Sequence, residues 1–330
     1  MDDCVVLSRD DAARRPADLT SYIETYYESI PEGLVPRDRR LFAWCLEASR
    51  HLRLNTVPEE RVEDLYEVNV LAILLNVMVD DLADQVLVHR GSEEEILESA
   101  LRVLRGESAV VIPQNFKAYF SLLDGLRGHL CERLSAWPGF RSWRPQLVRF
   151  LGRWADAMRS SVDWNRQVLG LEPVRAHEGF DDFVVAMAPP IHTFIYGLFN
   201  LMHLGPTALA EREPILEVLR CGERFQVMSN WLATWEVEVM SQDYSSGVVC
   251  WALEHRVVRW EDLQKEPAHR IVERLRHSDF ALFFERAMAR LAEDLLHQGR
   301  GIRSFEAGAY LEGLRYVHQL HLNHREMLKH

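Results

Sequence analysis

From Val68 to Val79 the chain reads VNVLAILLNVMV, an apolar run broken only by Asn69 and Asn76. A dozen residues fall well short of the ~20 needed to cross a bilayer. A helix that is apolar on nearly all sides, yet too short for a membrane, must be surrounded by other helices and so sits centrally in a bundle. Helical periodicity dominates the rest, with no convincing hairpin or alternating strand series. Helices are expected near 36–53, 58–85, 93–105, 113–135, 141–168, 179–203, 213–243, 260–275, 278–297 and 303–328. Breaks are expected at Pro58, Pro113, Pro138-Gly139, Gly179, Gly205-Pro206 and Gly299 to Gly301. No linker or internal repeat divides the chain. The expectation is an all-α single-domain helical bundle over residues 21–330, after a mobile N-terminal segment over residues 1–20.

The net charge of -12 argues against nucleic acid as a partner. It does not exclude a diphosphate that arrives with its own metal ions. Five scattered cysteines (Cys4, Cys45, Cys131, Cys221, Cys250), never in a CxxC pair, predict reduced thiols. The opening MDDCVVLSRDDAARR lacks the pattern of a secretion signal. These features predict a soluble, cytoplasmic protein with no membrane span.

The apolar run leads directly into Asp80, Asp81 and Asp84. Residues i and i+4 share a helix face, so Asp80 and Asp84 project side by side, while Asp81 is turned by roughly 100° and can help only from the flank. Paired carboxylates near a helix C-terminus repel each other and the helix dipole, so a cation should offset them. Hard oxygens on a rigid helix suit Mg²⁺, which commonly takes one or two carboxylates plus phosphates and waters. Asn76, one turn earlier on the same face, is either a helix–helix hydrogen bond or a polar group deep in a pocket.

The helix expected over 213–243 is also rich in buried-type residues, and bundles build sites on central helices with polar inward faces. It carries Asn230, Thr234 and Glu238 at i, i+4 and i+8. An amide oxygen, a hydroxyl and a carboxylate on one stripe can cage a single Mg²⁺. The alternative for either cluster alone is bland: a solvated helix end, or a polar seam between helices. Together the two stripes could face each other across a cavity and clamp a diphosphate.

Asp80-Asp81-x-x-Asp84 followed by Asn230-x-x-x-Thr234-x-x-x-Glu238 resembles the paired metal motifs of class I terpene synthases, in order and in spacing, over roughly residues 40–320. The resemblance implies the isoprenoid-synthase bundle with a central apolar cavity. It also implies three Mg²⁺ ions, two on Asp80 and Asp84, with Asp81 in support, and the third on Asn230, Thr234 and Glu238. Arg315-Tyr316 resembles the family's diphosphate-binding Arg-Tyr pair, and a guanidinium fork suits phosphate oxygens. A homodimer would be in keeping with the family. Two positions depart from the pattern: Trp231 stands where Asp is usual, and Val237 where Lys or Arg is usual. The family's diphosphate-sensing Arg is missing from FVVAMAPPIHTF, and Arg224 is a candidate replacement in poor phase.

Pro189 and Pro190 cannot donate to the carbonyls of Val185 and Ala186, so the helix should break there. The segment containing Ala186, Met187 and Pro190-Ile191 resembles the helix-break region of class I diterpene synthases acting on bicyclic, labdane-type diphosphates. Phe194, Trp231 and Trp235 are candidates to line the cavity and stabilise cations. The histidines, His192 among them, are expected to be structural or exposed. The expected activity is that of a lyase: Mg²⁺-dependent ionisation of an isoprenoid diphosphate, carbocation cyclisation or rearrangement, then deprotonation. A bicyclic C20 substrate is favoured, with linear geranylgeranyl or farnesyl diphosphate as the alternative. Rival readings are a chain-elongating prenyl synthase, a phosphohydrolase and a non-catalytic helical scaffold.

Overall fold

The computed structural model describes residues 19–88, 93–173 and 179–324, so the mobile segment expected over 1–20 lies almost wholly outside the described residues. The regular structure of the described residues is all helical, with no strand among them. The helices are α1 (Leu19–Ser29), α2 (Arg39–His51), α3 (Val62–Val88), α4 (Glu93–Leu104), α5 (Lys117–Ser135), α6 (Phe140–Val168) and α7 (Phe180–Met187). They continue as α8 (Thr193–Leu204), α9 (Arg212–Met240), α10 (Gly247–Glu254), α11 (Trp260–Lys265), α12 (Ala268–Arg276), α13 (Phe280–Gly299) and α14 (Ala307–Asn323). None is long and apolar enough to cross a membrane.

The fold agrees with most expected helices and divides two of them. The stretch expected over 179–203 is α7, a 3₁₀ turn at Pro189–Ile191, and α8. Pro267 separates α11 from α12, because a proline donates no N–H to the preceding turn. Two helices were not expected at all, α1 and α10.

The chain forms two compact units, residues 1–36 with 67–134, and residues 37–66 with 135–330. In the first, α3 is the central element from Glu67 onward. Val68, Leu71, Leu74, Leu75, Met78 and Val79 are all buried, as are Val70, Ile73 and Val77 on its other sides. Tyr26 of α1 and Tyr119 of α5 are fully buried with it, their rings 6.5 Å apart. Arg133 near the end of α5 pairs with Glu67 at 2.6 Å.

The hub of the second unit is α9, which packs on α7, α8, α10, α12, α13 and α14. Its buried Glu223 is held by both guanidinium nitrogens of Arg153 on α6, at 3.1 and 3.3 Å. Burial raises the Glu223 pKa, while Arg153 opposes that shift. On α8 the buried Asn200 accepts the backbone N–H of Leu54 at 2.9 Å and donates to the Tyr196 carbonyl at 2.6 Å, tying in the loop after α2. The loop after α9 is closed in the same way. Asn165 of α6 accepts the N–H of Tyr244 at 2.6 Å, and the Trp164 indole donates to its carbonyl at 2.8 Å.

Helices α14 and α2 meet so closely that a Cβ on Gly313 would collide with the carbonyl oxygen of His51. Gly125, exposed in the middle of α5, has nothing within 4 Å of the same position. Gly313→Ala should therefore lower stability by about 1–3 kcal/mol, because the obstructing atom is backbone. Gly125→Ala should raise it by about 0.5–1 kcal/mol through helix propensity. Urea unfolding of the two variants beside the parent checks both signs.

Candidate functional site

The acidic cluster follows the buried run of α3. Asp80 and Asp84 are both half-buried, and their i, i+4 spacing on a continuous helix places them on one face. Asp81 points elsewhere. It is buried, accepts the Tyr26 hydroxyl at 2.6 Å and has the Tyr119 hydroxyl at 3.4 Å. Tyr119 also donates to the Met78 carbonyl at 2.8 Å. The roughly 100° rotation between neighbours that set Asp81 apart in the sequence thus gives it a separate job, joining α1 and α5 to the central helix. Asn76 is half-buried one turn before Asp80.

On α9, Asn230 is half-buried while Thr234 and Glu238 are 1% and 4% exposed. The Thr234 hydroxyl lies 2.7 Å from Oε1 of Glu238 and 2.9 Å from the backbone carbonyl of Asn230, and the Asn230 side chain shares their helix face through its i, i+4 spacing. Just beyond it, the Asp243 N–H closes on the Glu238 carbonyl at 2.8 Å and ends the helix. Ser229, next to Asn230, lies 2.7 Å from Nδ1 of His321 and 2.9 Å from Nδ1 of His318, both on α14. A hydroxyl has one proton, so Ser229 can donate to one ring and must accept from the other. Burial, with His318 adding to it, lowers the His321 pKa to about 3 and keeps that imidazole neutral.

Arg315 lies on α14 one turn before His318. It pairs with Glu312 at 2.7 Å across the surface. Tyr316 is 42% exposed, stacks on His51 with ring centroids 3.5 Å apart, and comes no nearer than 3.5 Å to Glu47 with its hydroxyl. Both residues line a cleft of about 540 Å³ with His51, Glu312 and Gln319. Arg224 is turned back along α9, its Nε 3.3 Å from the Arg220 carbonyl. Val237 is exposed.

The aromatic candidates are packed among other rings. Trp231 meets Phe183 of α7 and Phe284 of α13 at 5.9 and 6.4 Å, and sits so close over Gly247 that a Cβ there would overlap it. Trp235 meets Phe280 edge-on at 5.1 Å. Phe194 stacks on Phe150 at 5.8 Å beneath the Arg153 guanidinium, 5.1 Å from its ring. At the break, Ala186 is exposed, Pro190 half-buried and Met187 buried.

Three features had no signal in the sequence: the tyrosine pair holding Asp81, the Arg153–Glu223 pair, and His192. That last residue, expected to be structural or exposed, is buried, and neither ring nitrogen has a hydrogen-bond partner.

Among the described residues no three His, Cys, Asp or Glu side chains converge as a metal-binding group. The α9 stripe has one carboxylate beside an amide and a hydroxyl, and the Asp81 carboxylate accepts the Tyr26 hydroxyl. Set against models of protein families and against curated proteins, the chain matches none.

The Asp81 contact should be structural. Tyr26→Phe removes a hydrogen bond to a buried carboxylate and should cost about 1.5–3 kcal/mol. Tyr316→Phe, at an exposed and distant contact, should stay within about 0.5 kcal/mol of the parent. Thermal melts of both variants test the contrast.

Proposed function

We propose that the protein is a class I terpene synthase, a cytoplasmic lyase that ionises an isoprenoid diphosphate and guides the resulting carbocation inside an apolar cavity. The observation that carries this reading is the stripe on α9. An amide, a hydroxyl and a carboxylate stand on successive turns of a buried helix, with Thr234 and Glu238 in direct contact. A buried carboxylate is costly unless hydrogen bonds or a cation compensate it. Three hard oxygens at this spacing fit Mg²⁺, and Asp80 with Asp84 offers a second set of the same chemistry on α3. Asp80 and Asp84 would hold two ions, and Asn230, Thr234 and Glu238 the third. Bound there, Mg²⁺ would supply the Lewis acidity that stabilises a departing diphosphate.

The remaining residues take supporting parts. The Asp81 carboxylate, fixed by Tyr26, keeps its turn of α3 from rotating, and so orients Asp80 and Asp84. Arg315 would exchange its surface partner Glu312 for a diphosphate oxygen, at little cost because an exposed ion pair is worth about 0–1 kcal/mol. The double proline separates α7 from α8 and leaves backbone carbonyls unable to find a helical donor, which gives fixed negative charge beside a cation. This break supports a bicyclic, labdane-type C20 diphosphate as the favoured substrate, ahead of linear C15 or C20 diphosphates.

Purified protein incubated with Mg²⁺ and each of these three diphosphates should release inorganic diphosphate and yield an organic-extractable product from at least one. Chelation should abolish both. Asp80→Ala and Glu238→Gln should each lose about 10²-fold or more in turnover while melting within a few degrees of the parent. No turnover of any of the three by the parent protein would overturn the reading.

A further inference from the structure

His192 follows Pro189, Pro190 and Ile191 and precedes the first residue of α8. Its backbone is left-handed, with φ 60°. Two other non-glycine residues among those described share that conformation, Gln242 and Arg256, and both are exposed, whereas His192 is 3% exposed. A neutral imidazole carries one N–H and one lone pair, and in His192 neither has a partner. Ring contacts surround it: Phe150 at 5.7 Å, Trp154 at 4.9 Å and Tyr196 at 6.2 Å, all close to perpendicular. The indole N–H of Trp154 is also buried without a partner. The nearby Arg153 is committed to Glu223.

We infer that His192 is the proton acceptor that ends the reaction, taking a C–H proton from the final carbocation. This inference rests on the terpene synthase reading. The step balances without a further reactant. The C–H bond next to the cationic carbon breaks and its electron pair becomes the new C=C bond. The proton bonds to the imidazole lone pair, and the positive charge moves from carbon to the ring. Phe150, Trp154 and Tyr196 are the rings packed against that charge. Burial lowers the basicity of His192, to a pKa of about 3, so the ring is neutral and its lone pair available at physiological pH. A C–H beside a carbocation is a far stronger acid than an imidazolium, so even so weak a base accepts the proton. The same weakness lets the imidazolium return its proton to water or to the released diphosphate once the product leaves.

The test uses full-length protein, Mg²⁺ and the diphosphate that the parent turns over best. His192→Asn and His192→Gly are suited to it, because both residues tolerate left-handed backbone. Free diphosphate reports ionisation, and gas chromatography reports the products. Ionisation should persist in both variants. The main olefin should fall by about 10-fold or more as a share of product, in favour of other olefins and water-captured alcohols. Added imidazole should restore the olefin in His192→Gly. Should His192→Gly melt too early to assay, His192→Asn alone decides. An unchanged product distribution in the folded variants, including one made at a uniformly lower rate, overturns the role of His192 and leaves the terpene synthase reading standing. A parent that releases no diphosphate overturns that reading, and this inference with it.

Discussion

A carboxylate taken out of water must recover its hydrogen bonds, and each compact unit carries at least one on its central helix. Moving such a group inward costs several kcal/mol even after relaxation, so whatever satisfies it fixes the elements around it. Asp81 on α3 draws the hydroxyl of Tyr26 from α1 and has that of Tyr119 from α5 beside it. Glu223 on α9 draws the Arg153 guanidinium from α6. Glu238, four turns further along α9, has the Thr234 hydroxyl. Two of these three contacts join helices distant in sequence, so the demand for hydrogen bonds also dictates packing. With Asp81 held by the Tyr26 hydroxyl, Asp80 and Asp84 share the adjoining face of α3 through their i, i+4 spacing.

The chain treats its helix interruptions in two ways. After α9 the backbone turns through Gln242 and is tied down at once, by Asn165 from α6 and by the Ser246 hydroxyl accepting the Val248 N–H at the start of α10. That interruption is saturated, and it fixes the end of the Asn230–Thr234–Glu238 stripe. After α7 the two prolines remove donors instead of supplying partners, and the left-handed turn at His192 adds strain of about 1–3 kcal/mol. The first break is built for rigidity. The second accumulates costs that the surrounding contacts of α6 and α9 have to hold in place.

The all-α character was legible because α3, α6, α9 and α13 are long enough for periodicity to decide. So was the pairing of Asp80 with Asp84, and of Asn230 with Thr234 and Glu238, because i, i+4 spacing is a property of one helix. Where a partner lies on another helix, local pattern says nothing. Tyr26 and Tyr119 are 55 and 38 positions from Asp81. Trp231 and Trp235 read as one face, but their partners Phe183, Phe284 and Phe280 could not be read from spacing. Helix α1 escaped detection because it packs through Tyr22 and Tyr26 and has few aliphatic residues. Helix α10, eight residues and mostly buried, is too short for periodicity to separate it from a strand.

The distribution of unpaired atoms carries the last step. A single buried indole N–H without a partner, as in Trp143 or Trp251, is a modest loss that a large apolar ring offsets. A side chain with two polar atoms, both buried and unpaired, is a different matter, since each such group costs about 1–3 kcal/mol. Asn69 and His192 are in that position. Asn69 sits within a regular helix, 7 and 11 residues before Asn76 and Asp80, so it continues the polar face that ends in the carboxylate. His192 adds backbone strain to the same loss, at the one place in α7 and α8 where proline has already removed the helical donors. An apolar residue there would avoid the desolvation cost, and glycine would avoid the strain. An imidazole avoids neither, and the proposed proton transfer would give its nitrogens a use that neither an apolar residue nor glycine could supply.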